Sequence, residues 1–195
     1  MTSSFQRYIT FAVVTVAVVL QLATVVERHS KVFEGVQIDD ADYIMSALEK
    51  DPDLLNAIGV GGQTPLIHAV LTGKTTAVQT LLEAGADTTL TEKDGYNLFH
   101  AAGFQGRAEI LEILLTSDKV KLDPMEKHAD GYYPIHRACW GSQPRHTETL
   151  KVFLDHGISP TLASTDGKTC AEMTRNEGSK ALLAEYENGK PEKEL

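Results

Sequence analysis

Gly62-Gln63-Thr64-Pro65-Leu66-Ile67-His68-Ala69-Val70-Leu71-Thr72-Gly73 is the stretch whose reading decides the fold, because the chain repeats it. The second copy is Gly95-Tyr96-Asn97-Leu98-Phe99-His100-Ala101-Ala102-Gly103-Phe104-Gln105-Gly106, and both its opening and its closing glycine are displaced by the same 33 residues. A third copy runs Gly131-Tyr132-Tyr133-Pro134-Ile135-His136-Arg137-Ala138-Cys139-Trp140-Gly141. Self-similarity at this period marks a one-dimensional array of helical hairpins, none of which can bury its apolar face alone.

The residue types inside one copy agree with that reading. Gly61-Gly62 admits a tight turn, since glycine takes positive φ without steric cost. Thr64 can accept hydrogen bonds from free helix amides, and Pro65 suits the first helical position, where no amide bond is lost. Gly73 can close that helix. Ala77, Val78, Leu81 and Leu82 then recur at helical spacing and form the apolar face of a second helix, which Gly85 ends.

In the second copy Asn97 replaces threonine as the cap and the proline is gone, while Ile110, Leu111, Leu114 and Leu115 pattern its second helix. Asp118 stands where glycine closed the previous copy, and three extra residues enlarge the loop around 119–128. The third copy carries three more residues between its helices, with Ser142-Gln143-Pro144 supplying the extra turn, and Leu150, Val152, Phe153 and Leu154 ahead of Gly157.

These residues resemble the ankyrin repeat, whose pattern is a turn glycine, Thr-Pro-Leu-His-x-Ala-Ala and a closing glycine. The resemblance covers roughly residues 36–186. It implies an all-α solenoid of stacked helix-turn-helix units with β-turn fingers, here preceded by one N-terminal hydrophobic helix. The expected organisation is a polar segment at 1–7, an anchor or signal sequence at 8–26 and a linker at 27–35. The ankyrin-repeat domain follows at 36–186: a cap at 36–57, repeats at 58–90, 91–126 and 127–162, and a second cap at 163–186. In the last unit Cys170, Glu172 and Arg175 take places where the repeat wants proline, histidine and alanine, as suits a cap with one face in water. Residues 187–195 read as a disordered acidic tail.

The segment from Tyr8 to Val26 has no charged residue. As a helix rising ~1.5 Å per residue it would span about 28 Å, close to the hydrocarbon core of a bilayer. The expectation is therefore an uncleaved single-span anchor and a single-pass membrane localisation. The alternative is a cleaved signal that leaves the repeats in the secretory pathway or the endoplasmic reticulum lumen.

The net charge of −9 repels phosphate backbones, so nucleic acid is a poor partner. Two cysteines, Cys139 and Cys170, are too few for a secreted disulfide framework, and both read as small buried packing residues. No phosphate-binding Gly-rich loop and no Cys-x-x-Cys pair is present. His136 and Cys139 share a helix face and admit a nucleophile reading, but His136 sits in the repeat's own histidine place, as His100 does, where the family uses it to tie the turn. His128, His146 and His156 lack metal-ligand spacing on one face. No enzyme, cofactor or metal is expected.

In the family, partners are gripped by the finger tips and the exposed face of the first helices. The place after each turn glycine holds Gln63, Tyr96 and Tyr132, and the place near each helix-closing glycine holds Leu71, Phe104 and Trp140. These six are the candidate partner-binding residues, rich in the aromatic types that dominate binding hot spots. The expected function is non-enzymatic: a membrane-tethered, monomeric scaffold or adaptor that holds a protein or an extended peptide. The alternative is a soluble or luminal adaptor, or the regulatory subunit of an enzyme.

Overall fold

A computed structural model of the protein describes residues 31–59 and 61–189. Those residues form helical hairpins with no strand among them. The elements are α1 (31–38), α2 (Ala41–Lys50), a 3-10 turn (Pro52–Asn56), α3 (Pro65–Thr72), α4 (Thr75–Glu83), α5 (Leu98–Gln105), α6 (Ala108–Thr116), α7 (Pro134–Cys139), α8 (Pro144–Asp155), α9 (Cys170–Met173) and α10 (Glu177–Glu187). Inner helices α3, α5 and α7 stack on one another, and outer helices α4, α6 and α8 form a second layer behind them.

The Thr64 hydroxyl accepts the Ile67 amide at 3.2 Å, and the Asn97 side chain accepts the Phe99 and His100 amides, both at 3.1 Å. Gly73 and Gly106 close α3 and α5 in the left-handed region, at φ 77° and 67°. Between hairpins the chain makes four like-built turns in which Gly62, Gly95, Gly131 and Gly167 donate to the carbonyls of Gly59, Glu92, His128 and Ser164. These are the fingers.

Leu66, Leu81, Leu98, Phe99, Leu111, Leu114, Ile135, Leu150 and Phe153 are fully buried between units, in one continuous core. At Gly103 a Cβ would lie 2.6 Å from the Pro134 carbonyl oxygen, so this glycine permits the close approach of α5 and α7. Units are also tied by polar bridges. Asp39, between α1 and α2, accepts the Ala77 amide of α4 at 2.8 Å, and Asn56 accepts the Asp87 amide at 2.9 Å.

Four expectations are corrected. Residues 31–35 are not linker but the start of α1, whose Val32 and Val36 are buried in the core. The third copy is longer in two places: residues 140–143 connect its helices where 73–74 and 106–107 connect the earlier ones, so Ser142 and Gln143 do lie in an extended turn, but Pro144 opens α8, which has 12 residues where α4 and α6 have 9. Glu187, expected at the head of the tail, is the last residue of α10. The cysteines are not separate packing residues. Cys139 and Cys170 are disulfide-bonded, with Cα atoms 5.5 Å apart, because stacking brings the end of α7 against the start of α9.

Among the described residues no helix is long and apolar enough to cross a membrane. The hydrophobic helix expected at 8–26 lies outside the described residues, as do residues 1–7 and 190–195.

Candidate functional site

Tyr96, Tyr132 and Trp140 converge on a residue the repeat pattern did not single out. Arg137 follows His136 in α7, at the place taken by Ala101 in the previous copy. It is 3% exposed. Its guanidinium carbon lies 4.7 Å from the centroid of the Tyr96 ring, 4.6 Å from that of Trp140 and 5.6 Å from that of Tyr132. The His128 ring stacks on Tyr96 with centroids 4.2 Å apart, and Tyr132 meets Trp140 edge-on at 4.9 Å. A cation among electron-rich ring faces is electrostatically favourable, the more so out of water.

The charge is closed by Asp130, in the finger that leads into α7. Arg137 Nη2 donates to both carboxylate oxygens, at 2.8 and 2.7 Å. His128 Nδ1 faces the Asp130 amide at 3.3 Å and Arg137 Nη2 at 3.4 Å, while Nε2 lies 2.9 Å from the Asp94 carbonyl oxygen. Asp130 Oδ1 lies 3.0 Å from the same Nδ1, so the His128 ring bridges the carboxylate of its own finger and the carbonyl of the finger before it.

The fingers form a ladder. The Tyr96 hydroxyl donates to Asp130 at 3.4 Å and the Tyr132 hydroxyl to Asp166 at 3.2 Å, so the tyrosine of each finger holds the aspartate of the next. Partial burial pushes the Asp130 carboxyl up, but hydrogen bonds from Arg137, His128 and the Tyr132 amide outweigh it and hold the group at about 2. Asp166 is also held at about 2, first by the Ser164 hydroxyl and then by Lys168. Burial, and then the Arg137 charge, push His100 down to about 4, so it stays neutral.

The other candidates lie elsewhere. Gln63 Oε1 lies 3.2 Å from His68 Nδ1. Leu71 is half-buried against the core, and its carbonyl accepts Arg107 Nη2 at 2.9 Å. Phe104, near the end of α5, is 57% exposed, and Trp140, at the end of α7, is 42% exposed. The two hold equivalent places, nine residues after their turn glycines, on helices that pack directly together.

Sequence reasoning missed Arg137, Asp130 and His128. The signal was present. An arginine interrupts an otherwise small and apolar inner helix, and an aspartate precedes Gly131 as Asp94 precedes Gly95. Nothing local says that the arginine folds back on that aspartate.

The geometry offers no nucleophile at the Cys–His pair. Cys139 Sγ is bonded to Cys170, His136 Nδ1 accepts the Tyr133 amide at 3.2 Å, and His136 Nε2 lies 3.0 Å from the Leu162 carbonyl oxygen. That histidine ties the turn to the next unit. Among the described residues no group of three or more His, Cys, Asp or Glu could hold a metal ion.

Residues 33–127 match the family model for ankyrin repeats, in 3 copies. A Notch-regulated ankyrin repeat-containing protein B from Danio rerio is 38% identical over 65 residues, covering 33% of this chain and 59% of that protein. The Homo sapiens Notch-regulated ankyrin repeat-containing protein is 37% identical over the same length, 57% of its own. The nuclear factor NF-kappa-B p105 subunit of Gallus gallus is 29% identical over 157 residues, 71% of this chain and 15% of that protein. The chain thus spans under two thirds of the length of each of these relatives. The single-pass membrane localisation, with its secretory alternative, is corrected: the described residues hold no membrane-crossing helix, and the matched relatives are named as Notch-regulated ankyrin repeat proteins and a nuclear factor subunit.

Proposed function

The chain is an ankyrin-repeat protein, and from that premise we propose that it is a non-enzymatic module that binds a protein or an extended peptide along its inner helices and fingers. The observation that carries this reading is the pair Phe104 and Trp140. Two large rings, 57% and 42% exposed, stand at equivalent places on adjacent helices of a rigid stack. Exposed apolar area of this kind marks a contact surface, and aromatic anchors on ordered scaffolds lose little freedom on binding. Gln63, Leu71, Tyr96 and Tyr132 complete the surface. Tyr96 and Tyr132 keep its shape through the Arg137 cluster and the finger ladder, and Gln63 and Leu71 extend it toward the amino-terminal units.

Trp140→Ala and Phe104→Ala test the proposal. Quantitative affinity capture with each variant should lose the bound protein while the melting temperature stays near that of the parent for Phe104→Ala and falls modestly for Trp140→Ala, whose ring also covers the Arg137 guanidinium. Unchanged capture removes the residues from the surface. A collapse of the melting transition in both variants makes them core residues and ends the reading.

A further inference from the structure

The inner face borders a row of cations that the aromatic cluster does not use. In each of four successive units the turn from inner to outer helix holds one: Lys74 before α4, Arg107 before α6, Arg145 in the first turn of α8 and Arg175 just ahead of the Asn176 cap of α10. The row is physically continuous. A Cβ on Gly73 would lie 2.6 Å from Arg107 Nη1, and one on Gly106 would lie 2.7 Å from Arg145 Cγ, so Arg107 and Arg145 each lie over the closing glycine of the unit before, and Arg175 holds the corresponding turn of the last unit. Arg107 is held by the Leu71 carbonyl at the end of α3, the end of a helix that favours a cation. Arg107 and Arg145 are near enough that the second charge, after burial, lowers the first guanidinium's basicity.

Among the described residues none of the four makes an ion pair with a carboxylate. The finger carboxylates differ. Asp130 is taken by Arg137 and Asp166 by Lys168. A chain of net charge −9 therefore presents, at the turns between inner and outer helices, a row of four cations to which no carboxylate of the described residues is paired. Phe104 lies beside the row: its carbonyl is 3.2 Å from His146 Nε2, in the residue after Arg145, and Gly106, under Arg145, is two residues further along. With charges screened over about 8 Å at physiological salt, a docked segment responds to this row rather than to the distant net charge.

We propose that the segment bound on this face is an acidic peptide carrying apolar or aromatic side chains. Its Asp and Glu carboxylates pair with Lys74, Arg107, Arg145 and Arg175, and its apolar groups pack on Phe104 and Trp140. This rests on the binding-surface reading above and names the chemistry of the partner. A polynucleotide fits less well, because the apolar rings add nothing for phosphates and a net charge of −9 opposes a long polyanion.

The probe is a random dodecapeptide library displayed on phage and selected on the full chain. Selected peptides are then measured in solution against the parent, Phe104→Ala, Trp140→Ala and the double variant Arg145→Glu/Arg175→Glu. Both arginines are exposed, so the charge-reversed protein should melt like the parent. The expected result is enrichment of acidic peptides with apolar residues, whose binding weakens about tenfold or more on charge reversal and falls with added salt. Peptides that need Phe104 and Trp140 yet ignore the charge reversal, or that are neutral or basic, overturn the inference and leave the binding surface standing. Failure to enrich, or peptides indifferent to both rings, overturns the surface itself. A twenty-nucleotide single-stranded DNA that displaces the peptides and binds more tightly than they do also overturns the inference.

Discussion

Reducing the Cys139–Cys170 bond should weaken the whole array by an amount that can be worked out from the topology. The bond joins the end of α7 to the start of α9 across a sequence separation of 31 residues. In the folded protein it adds few contacts, because stacking already sets the two residues side by side and both are buried. In the unfolded chain it closes a loop and removes conformations. The chain-entropy relation for a loop of this length corresponds to about 3.7 kcal/mol at 25 °C. With a urea dependence of roughly 2 kcal/mol per molar, the unfolding midpoint of the reduced protein should fall by about 1.8 M. The assay is urea unfolding followed by helical circular dichroism, oxidised against reduced, with thiol titration in denaturant to count free sulfhydryls. Cys139→Ala/Cys170→Ala should fall at least as far, since it also empties the space of two sulfur atoms. Amide exchange should quicken first in α9 and α10, because an end unit contacts only one neighbour. Coincident midpoints, or two titratable thiols in the unreduced protein, would refute the reasoning.

Other expectations follow from the same structure. His100 is held at about 4 where an unfolded histidine titrates near 6.5, so its contribution is fully present above 6.5 and lost as pH falls through 4; the loss approaches about 3 kcal/mol. Melting curves between pH 7 and pH 4 should show that decline, and His100→Gln should flatten it. Arg137→Met keeps the aliphatic stem but strips Asp130 of its cation. With that carboxylate 36% exposed the cost is about 2 kcal/mol rather than the larger figure for a dry pair, and a double-mutant cycle with Asp130→Asn should recover a favourable coupling in chemical denaturation. Leu82→Asp, at a side chain 3% exposed, should cost about 4 kcal/mol or more and unfold the array in one transition, whereas Leu115→Asp, at a half-buried position, should cost visibly less on the same calorimetric trace.

The register of the hairpins was legible before any coordinate because the devices that set it act within a few residues. Thr64 and Asn97 cap helices that start at the next residue, and Gly62, Gly95 and Gly131 all adopt the positive φ their turns require. The same locality misled where a residue had two local uses. Ser142-Gln143-Pro144 suits a turn as well as a helix start, and both uses appear: Ser142 and Gln143 stay in the turn, while Pro144 opens an α8 that packs against α6 and α10. Of the six candidate surface residues, three proved to be gathered around one buried arginine, an arrangement that depends on two fingers and one helix at once.

By itself, then, the order of residues determined where each hairpin turns, which helix faces are apolar and that the units stack, since caps, glycines and helical periodicity are short-range effects. Only the tertiary structure decided that Cys139 meets Cys170, that Arg137 is enclosed by Tyr96, Tyr132 and Trp140, and that Lys74, Arg107, Arg145 and Arg175 line up unpaired along one edge. The disulfide, the Tyr96–Arg137 contact and the row of cations join residues about thirty or more positions apart, whereas Tyr132 and Trp140 lie near Arg137 in sequence and are drawn to it once Tyr96 closes the cluster. Their meeting depends on how one unit sits on the next, which no local preference encodes.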